Sequence, residues 1–95
     1  MTKEQEIFNF LNVNVFKPIL NSDEASNSLK IGVRNTTRRM KRQDAKGMIQ
    51  YYWSSIVGTA KSTRFAREMK KEGFTRFEEV IDEFRERFND KWLRN

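Results

Sequence analysis

The pattern of apolar and polar positions predicts a helical protein that begins with an amphipathic helix. Thr2 and Gln5 form the Thr-x-x-Gln pattern of a capping box, which predicts a helix start directly after Thr2. Apolar residues then recur at helical spacing along one face. The face is formed by Ile7, Phe8, Leu11 and Val15, with Phe10 on its flank. Because Pro18 disfavours helical geometry at Lys17, this helix is predicted to end near Phe16 or to kink there.

A second helix is predicted to begin at Ser22, where Asp23 and Glu24 would occupy the first turn, and to run to about Gln43. Its apolar positions share one face, formed by Ala25, Leu29, Val33, Thr36 and Met40. The competing interpretation is a short β segment around residues 29–34, because apolar and polar residues alternate there and Gly32 is a weak helix former. We favour the helix.

Three further helices are predicted, each with a capping residue at its start. Asp44 or a neighbouring residue would cap a third helix that ends near Gly58, and Ser62 would cap a short fourth helix that stops at Gly73. Thr75 opens a second capping box and the clearest amphipathic segment in the chain. The third helix has an apolar face of Met48, Ile49, Tyr52, Trp53 and Ile56, and the fifth has Phe77, Val80, Ile81, Phe84, Phe88 and Trp92.

These segments predict an all-α fold, with residues 1–95 forming a single small domain of four to five helices in an orthogonal bundle. With 95 residues and 37% hydrophobic content, the chain has material for one core only. The charged start of the chain leads into no apolar run, and no stretch reaches the ~20 apolar residues of a membrane span. We therefore expect a cytoplasmic protein that does not contact membranes.

The composition of the chain excludes several kinds of catalytic and metal-binding site. The chain has no Cys and no His, which excludes disulfides, thiolate nucleophiles and the most common general base and metal ligand. Lys61 and Ser62 resemble the end of a phosphate-binding loop, but Ala60 and Ser55 stand where that loop needs glycine. A hydrolase that uses carboxylates and a divalent ion lacks support from ligand spacing. We expect no enzymatic activity, no cofactor and no metal.

Charge is concentrated in the middle of the chain. The net charge is +6, and residues 30–46 alone carry seven basic residues against one acidic residue, while both ends are mildly acidic. On the second predicted helix the basic residues cluster opposite the apolar face, with the last just beyond the cluster. We define the basic face as Lys30, Arg34, Arg38, Arg39, Lys41 and Arg42. A second basic edge would come from Arg64, Arg67 and Lys71 on the fourth helix.

Arg guanidinium groups bind phosphate through a planar fork, so these nine residues are the candidate nucleic-acid-binding residues, for DNA or RNA. Tyr51, which lies off the apolar face of its helix, would stack on an unpaired base. One alternative is that the basic residues are a solvated surface, or that they pair inside the molecule with the acidic ends. Another is a protein-interaction module that binds an acidic partner or self-associates into a homo-oligomer.

Overall fold

The computed structural model describes residues 1–57 and 77–95, with side chains at 1–54 and 79–95. These residues form helices and their connections, and no strand occurs among them, so the all-α fold is confirmed. The helical segments are α1 (Lys3–Leu11), π1 (Asn12–Phe16), α2 (Lys17–Leu20), α3 (Asn27–Met40), α4 (Ala45–Tyr51), π2 (Tyr52–Val57), α5 (Phe77–Arg87) and α6 (Asp90–Arg94). Within these ranges no helix has the length and apolar character needed to cross a bilayer. The predicted fourth helix lies outside the described residues.

The first helix begins as predicted but continues past proline. Thr2 Oγ1 accepts a hydrogen bond from the Gln5 backbone N–H at 3.1 Å, and Gln5 Oε1 accepts one from the Thr2 N–H at 2.9 Å. Of the two predicted alternatives, the end near Phe16 does not occur, because the chain passes through π1 into α2. In π1 the Lys17 N–H donates to the Asn12 carbonyl five residues earlier. This wider turn lies directly before Pro18, the residue that has no N–H to donate and whose ring crowds a regular helix.

The second helix starts four residues later than the Ser22 pattern predicted. Ser26 is its N-cap, and Ser26 Oγ accepts a hydrogen bond from the Leu29 N–H at 3.1 Å. Ser22 Oγ instead accepts from the Glu24 N–H at 3.2 Å within the connecting loop. Both serines can satisfy a nearby backbone N–H, so sequence alone did not separate the cap from the loop. Residues 29–34 lie inside α3, and the alternative β segment is not formed.

The caps of the later helices are partly as predicted. Asp44 Oδ1 accepts a hydrogen bond from the Gly47 N–H at 2.8 Å and caps α4, as predicted. The last predicted helix is interrupted, because Asn89 Oδ1 accepts from the Trp92 N–H at 2.9 Å and thereby caps α6. Asn89 Nδ2 also donates to the Glu86 carbonyl at 2.9 Å near the end of α5. One asparagine therefore terminates one helix and begins the next.

The described helices share one hydrophobic core with an aromatic centre. Phe84 of α5 is fully buried, and its ring centroid lies 4.2 Å from that of Tyr52 and 4.9 Å from that of Phe88. Phe10, predicted on the flank of the first helix, is buried because its ring packs 5.5 Å from Phe88. Most of the predicted apolar faces are confirmed, because their residues are buried where the structure describes them. The buried apolar residues are Ile7, Phe10, Leu11, Val15, Phe16, Ile19, Ala25, Leu29, Val33, Met40, Ala45, Met48, Tyr52, Val80, Phe84 and Phe88. Because Leu29, Val33 and Met40 of α3 are buried, the opposite side of this helix faces solvent.

Candidate nucleic-acid interface

The basic face lies on the outer side of α3 and in the turn that follows it. Leu29, Val33 and Met40 are buried, so the residues between them project away from the core. Five of the six basic residues are exposed and one is half-buried. The exposed residues are Arg34, Arg38, Arg39, Lys41 and Arg42, and the half-buried residue is Lys30.

The turn after α3 extends this surface beyond the helix. The Arg42 N–H donates to the Arg39 carbonyl at 3.2 Å, and the Gln43 N–H donates to the Met40 carbonyl at 3.0 Å. These bonds keep the chain turning tightly after Met40, so Arg42 follows Arg38 at one helical turn. Four basic residues consequently succeed one another at intervals of four positions, namely Lys30, Arg34, Arg38 and Arg42.

The charges of the basic face are not neutralised by the described part of the molecule. Within residues 1–54 and 79–95, none of the six side chains forms an ion pair. Lys41 makes the one aromatic contact of this set in those ranges, with Nζ 4.9 Å from the ring centroid of Phe8. Pairing with the described acidic ends, which sequence analysis left open, does not occur. The face can therefore attract a polyanion.

A groove opens beside the basic face, between the first helical run and the turn after α3. It has a volume of about 760 Å³. Nine residues line it: Met1, Glu4, Gln5, Phe8, Asn9, Asn12, Lys41, Gln43 and Met48. Its two walls are tied together where Glu4 Oε2 accepts a hydrogen bond from the Ala45 N–H at 3.1 Å. Lys41 belongs both to this groove and to the basic face.

Sequence analysis did not identify the groove. Its lining joins the start of the chain to residues about forty positions later, a proximity that only the tertiary fold creates. One signal was present in the sequence: Gln5, Asn9 and Asn12 recur at i, i+4 and i+7, which places three uncharged polar side chains on one helix face.

The other residues singled out in the sequence add little to this surface. Tyr51 is half-buried against the core, so only part of its ring remains for stacking. Trp53 and Trp92 also pack on the core, as predicted. Arg64, Arg67 and Lys71 lie outside the described residues. In the part of the chain that the structure describes, no group of carboxylates is arranged to hold a metal ion.

Comparison of the chain with protein-family models, with curated proteins and with solved structures gives no significant match. Its function is therefore inferred from its own residues.

Proposed function

We propose that this chain is a non-catalytic, cytoplasmic nucleic-acid-binding protein that contacts phosphates through the basic face. The proposal is supported above all by the exposure of five basic side chains on α3 and the turn that follows it, with no ion pair from them in the described ranges. A polyanion would supply the counter-charges that the described part of the protein does not. Because Arg and Lys contacts to phosphate carry no sequence information, the binding is expected to be only modestly sequence-specific.

The spacing of the basic residues supports the same proposal. Lys30, Arg34, Arg38 and Arg42 are like charges at intervals of four, and each of the two pairs inside α3 destabilises the helix by about 0.2 to 0.5 kcal/mol. Residues that disfavour the folded state and lie on the surface are most simply explained by a role in binding. Lys30 is half-buried, so it is expected to contribute less to phosphate binding than Arg34, Arg38 and Arg42.

Fluorescence anisotropy of labelled duplex DNA, single-stranded DNA and structured RNA across a salt series tests this proposal. For duplex DNA, the wild type should lose affinity with a log-log slope of about −0.9 for each phosphate contacted. The variant Arg38→Glu/Arg39→Glu/Arg42→Glu should bind weakly and with a flatter slope. Circular dichroism should show that its helix content is unchanged.

A matched variant separates the basic face from net charge. Lys17, Lys91 and Arg94 are exposed basic residues outside the basic face. Lys17→Glu/Lys91→Glu/Arg94→Glu changes the net charge by the same amount and should retain most of the affinity. If the two triple variants bind equally, or if the wild type binds none of the ligands at about 50 mM salt, the proposal is wrong.

The second candidate function is a protein-interaction module for an acidic partner. One observation favours it: Ile31 on α3 is 55% exposed, although it lies one turn from Arg34. Arg is enriched at protein interfaces, and a protein partner that covers the arginines would also bury Ile31. Absence of nucleic-acid binding together with a mass that rises with protein concentration in sedimentation would favour this candidate in its self-associating form.

A further inference from the structure

We propose that the groove beside the basic face holds an unpaired nucleobase, so that the ligand of this protein is a single strand. This inference rests on the proposed function and specifies its substrate class. The groove's volume of about 760 Å³ lies within the usual range of small-ligand sites, which is roughly 300 to 1,000 Å³. Its apolar floor, its polar rim and its charge each favour a base.

The floor of the groove is apolar. Met48 is 2% exposed, and Phe8 is half-buried, with its ring centroid 6.2 Å from that of Phe16. Both residues are held by the core, so the floor is present before any ligand arrives. A planar aromatic base buries its faces favourably against aromatic and thioether side chains. A bare phosphate has no apolar face to bury there.

The rim carries amides whose hydrogen-bonding groups are not used by the residues that the structure describes. Asn9, Asn12 and Gln43 line the groove, and none of their side chains forms a hydrogen bond in the described ranges. A side-chain amide presents a donor and an acceptor side by side, as the edges of the bases do. Gln5 differs from these three because its Oε1 atom is used in the capping box.

The charges favour a neutral group inside the groove and phosphates at its mouth. Glu4 lines the groove, and its carboxylate would repel a phosphate placed there. Lys41 lines the groove as well, and Arg42 follows it directly on the exposed turn. A strand whose backbone follows the basic face would therefore bring its phosphates to Lys41 and Arg42, and one base into the groove.

The test compares three ligands of equal length, about 12 nucleotides, by fluorescence anisotropy. They are a single strand, the same strand with abasic sites in place of its bases, and the corresponding duplex. The groove variant is Asn9→Ala/Gln43→Ala, which removes two rim amides without changing the charge. The matched control is Asn27→Ala/Gln50→Ala, because both of these amides are exposed and neither lines the groove.

The wild type and the control should bind the single strand about 5- to 100-fold more tightly than the abasic strand, and more tightly than the duplex. The groove variant should lose part of this preference, because two rim amides are removed while the apolar floor remains, and its affinity for the abasic strand should stay unchanged. Equal affinity of the wild type for the two strands, or tighter binding of the duplex, overturns the base site. The proposed function still stands in that case if the basic-face variant loses binding. If no ligand binds at low salt, both proposals fail.

Discussion

More of the described aromatic ring contacts converge on Phe84 than on any other residue. It is fully buried, and its ring meets those of Phe10 from α1, Tyr52 and Trp53 from π2, and Phe88 directly after α5. We expect Phe84→Ala to lower the free energy of unfolding by about 3 to 5 kcal/mol, because the substitution removes buried apolar contacts and leaves a cavity. Urea denaturation followed by circular dichroism measures this.

The matched control for this substitution is Val13→Ala, since Val13 is 57% exposed. Its effect should stay within about 0.5 kcal/mol. A loss at Phe84 of similar size to that at Val13 would show that the aromatic centre is not packed as described.

Tyr52 makes stability dependent on pH in the alkaline range. Its side chain is fully buried, and its Oη atom has no hydrogen-bond partner among the described residues. Burial disfavours the phenolate and raises the pKa of Tyr52 well above the ordinary value of 10.0. In the unfolded chain the phenol ionises near pH 10, whereas in the folded protein it keeps its proton. Unfolding therefore releases a proton, and alkaline pH favours unfolding.

We expect ionisation of Tyr52 to leave the free energy of unfolding unchanged well below pH 10 and to lower it by about 1 kcal/mol for each pH unit above 10. Tyr52→Phe should lack this loss, and at neutral pH it should be as stable as the wild type or up to about 1 kcal/mol more stable, because an unpaired buried hydroxyl is removed. Urea denaturation of both proteins from pH 8 to 11 provides the comparison. Parallel curves for the two proteins across this range would contradict the prediction.

At the scale of the helices, the start of α3 offers a direct test between two serines. Ser26 caps α3 through the Leu29 N–H, whereas Ser22 bonds within the loop. Ser26→Ala should therefore lower the free energy of unfolding by about 1 kcal/mol, and Ser22→Ala should cost less than half of that. Thermal and urea denaturation of the two variants measure the difference. A larger cost at Ser22 would place the helix start at the position that the sequence first indicated.

The helix faces were predictable from sequence, while several helix boundaries were not. Leu29, Val33 and Met40 recur at a helical period, and all three are buried. Boundaries depend on which of several polar side chains finds a free backbone N–H, and that choice depends on packing. Asn89 shows this, because it interrupts an apolar stripe that is periodic through Trp92. Proline rules likewise missed π1, because a wider turn accommodates Pro18 without ending the helix.

At the scale of the whole molecule, the basic face could be predicted from the sequence, whereas the groove is visible only in the folded structure. Charge separation along α3 is a local pattern, so the exposure of Arg34 and Arg38 followed once the apolar face was known. The groove instead depends on contacts between α1 and the start of α4, such as the hydrogen bond from the Ala45 N–H to Glu4. No local pattern encodes that contact, which spans 41 positions along the chain.

The arrangement of charge over the whole molecule predicts a conflict between stability and binding. Arg34 lies between Lys30 and Arg38 at intervals of four, so Arg34→Glu replaces two repulsive pairs by two attractive ones. This variant should gain about 0.8 to 2 kcal/mol of stability at low salt and lose that gain as salt screens the pairs. Its affinity for single-stranded nucleic acid should nevertheless fall, because one phosphate contact is lost.

Lys17→Glu is the matched control, since Lys17 is exposed on α2 and has no basic residue four positions away on either side. It makes the same change in net charge, so it should leave affinity largely unchanged and should not add stability. Urea denaturation at low and high salt and anisotropy titration of both variants measure the two properties together. If both variants weakened binding equally, net charge alone would govern the interaction. Opposite changes in stability and affinity for Arg34→Glu alone would show that the placement of charge on α3 serves binding at the expense of the fold.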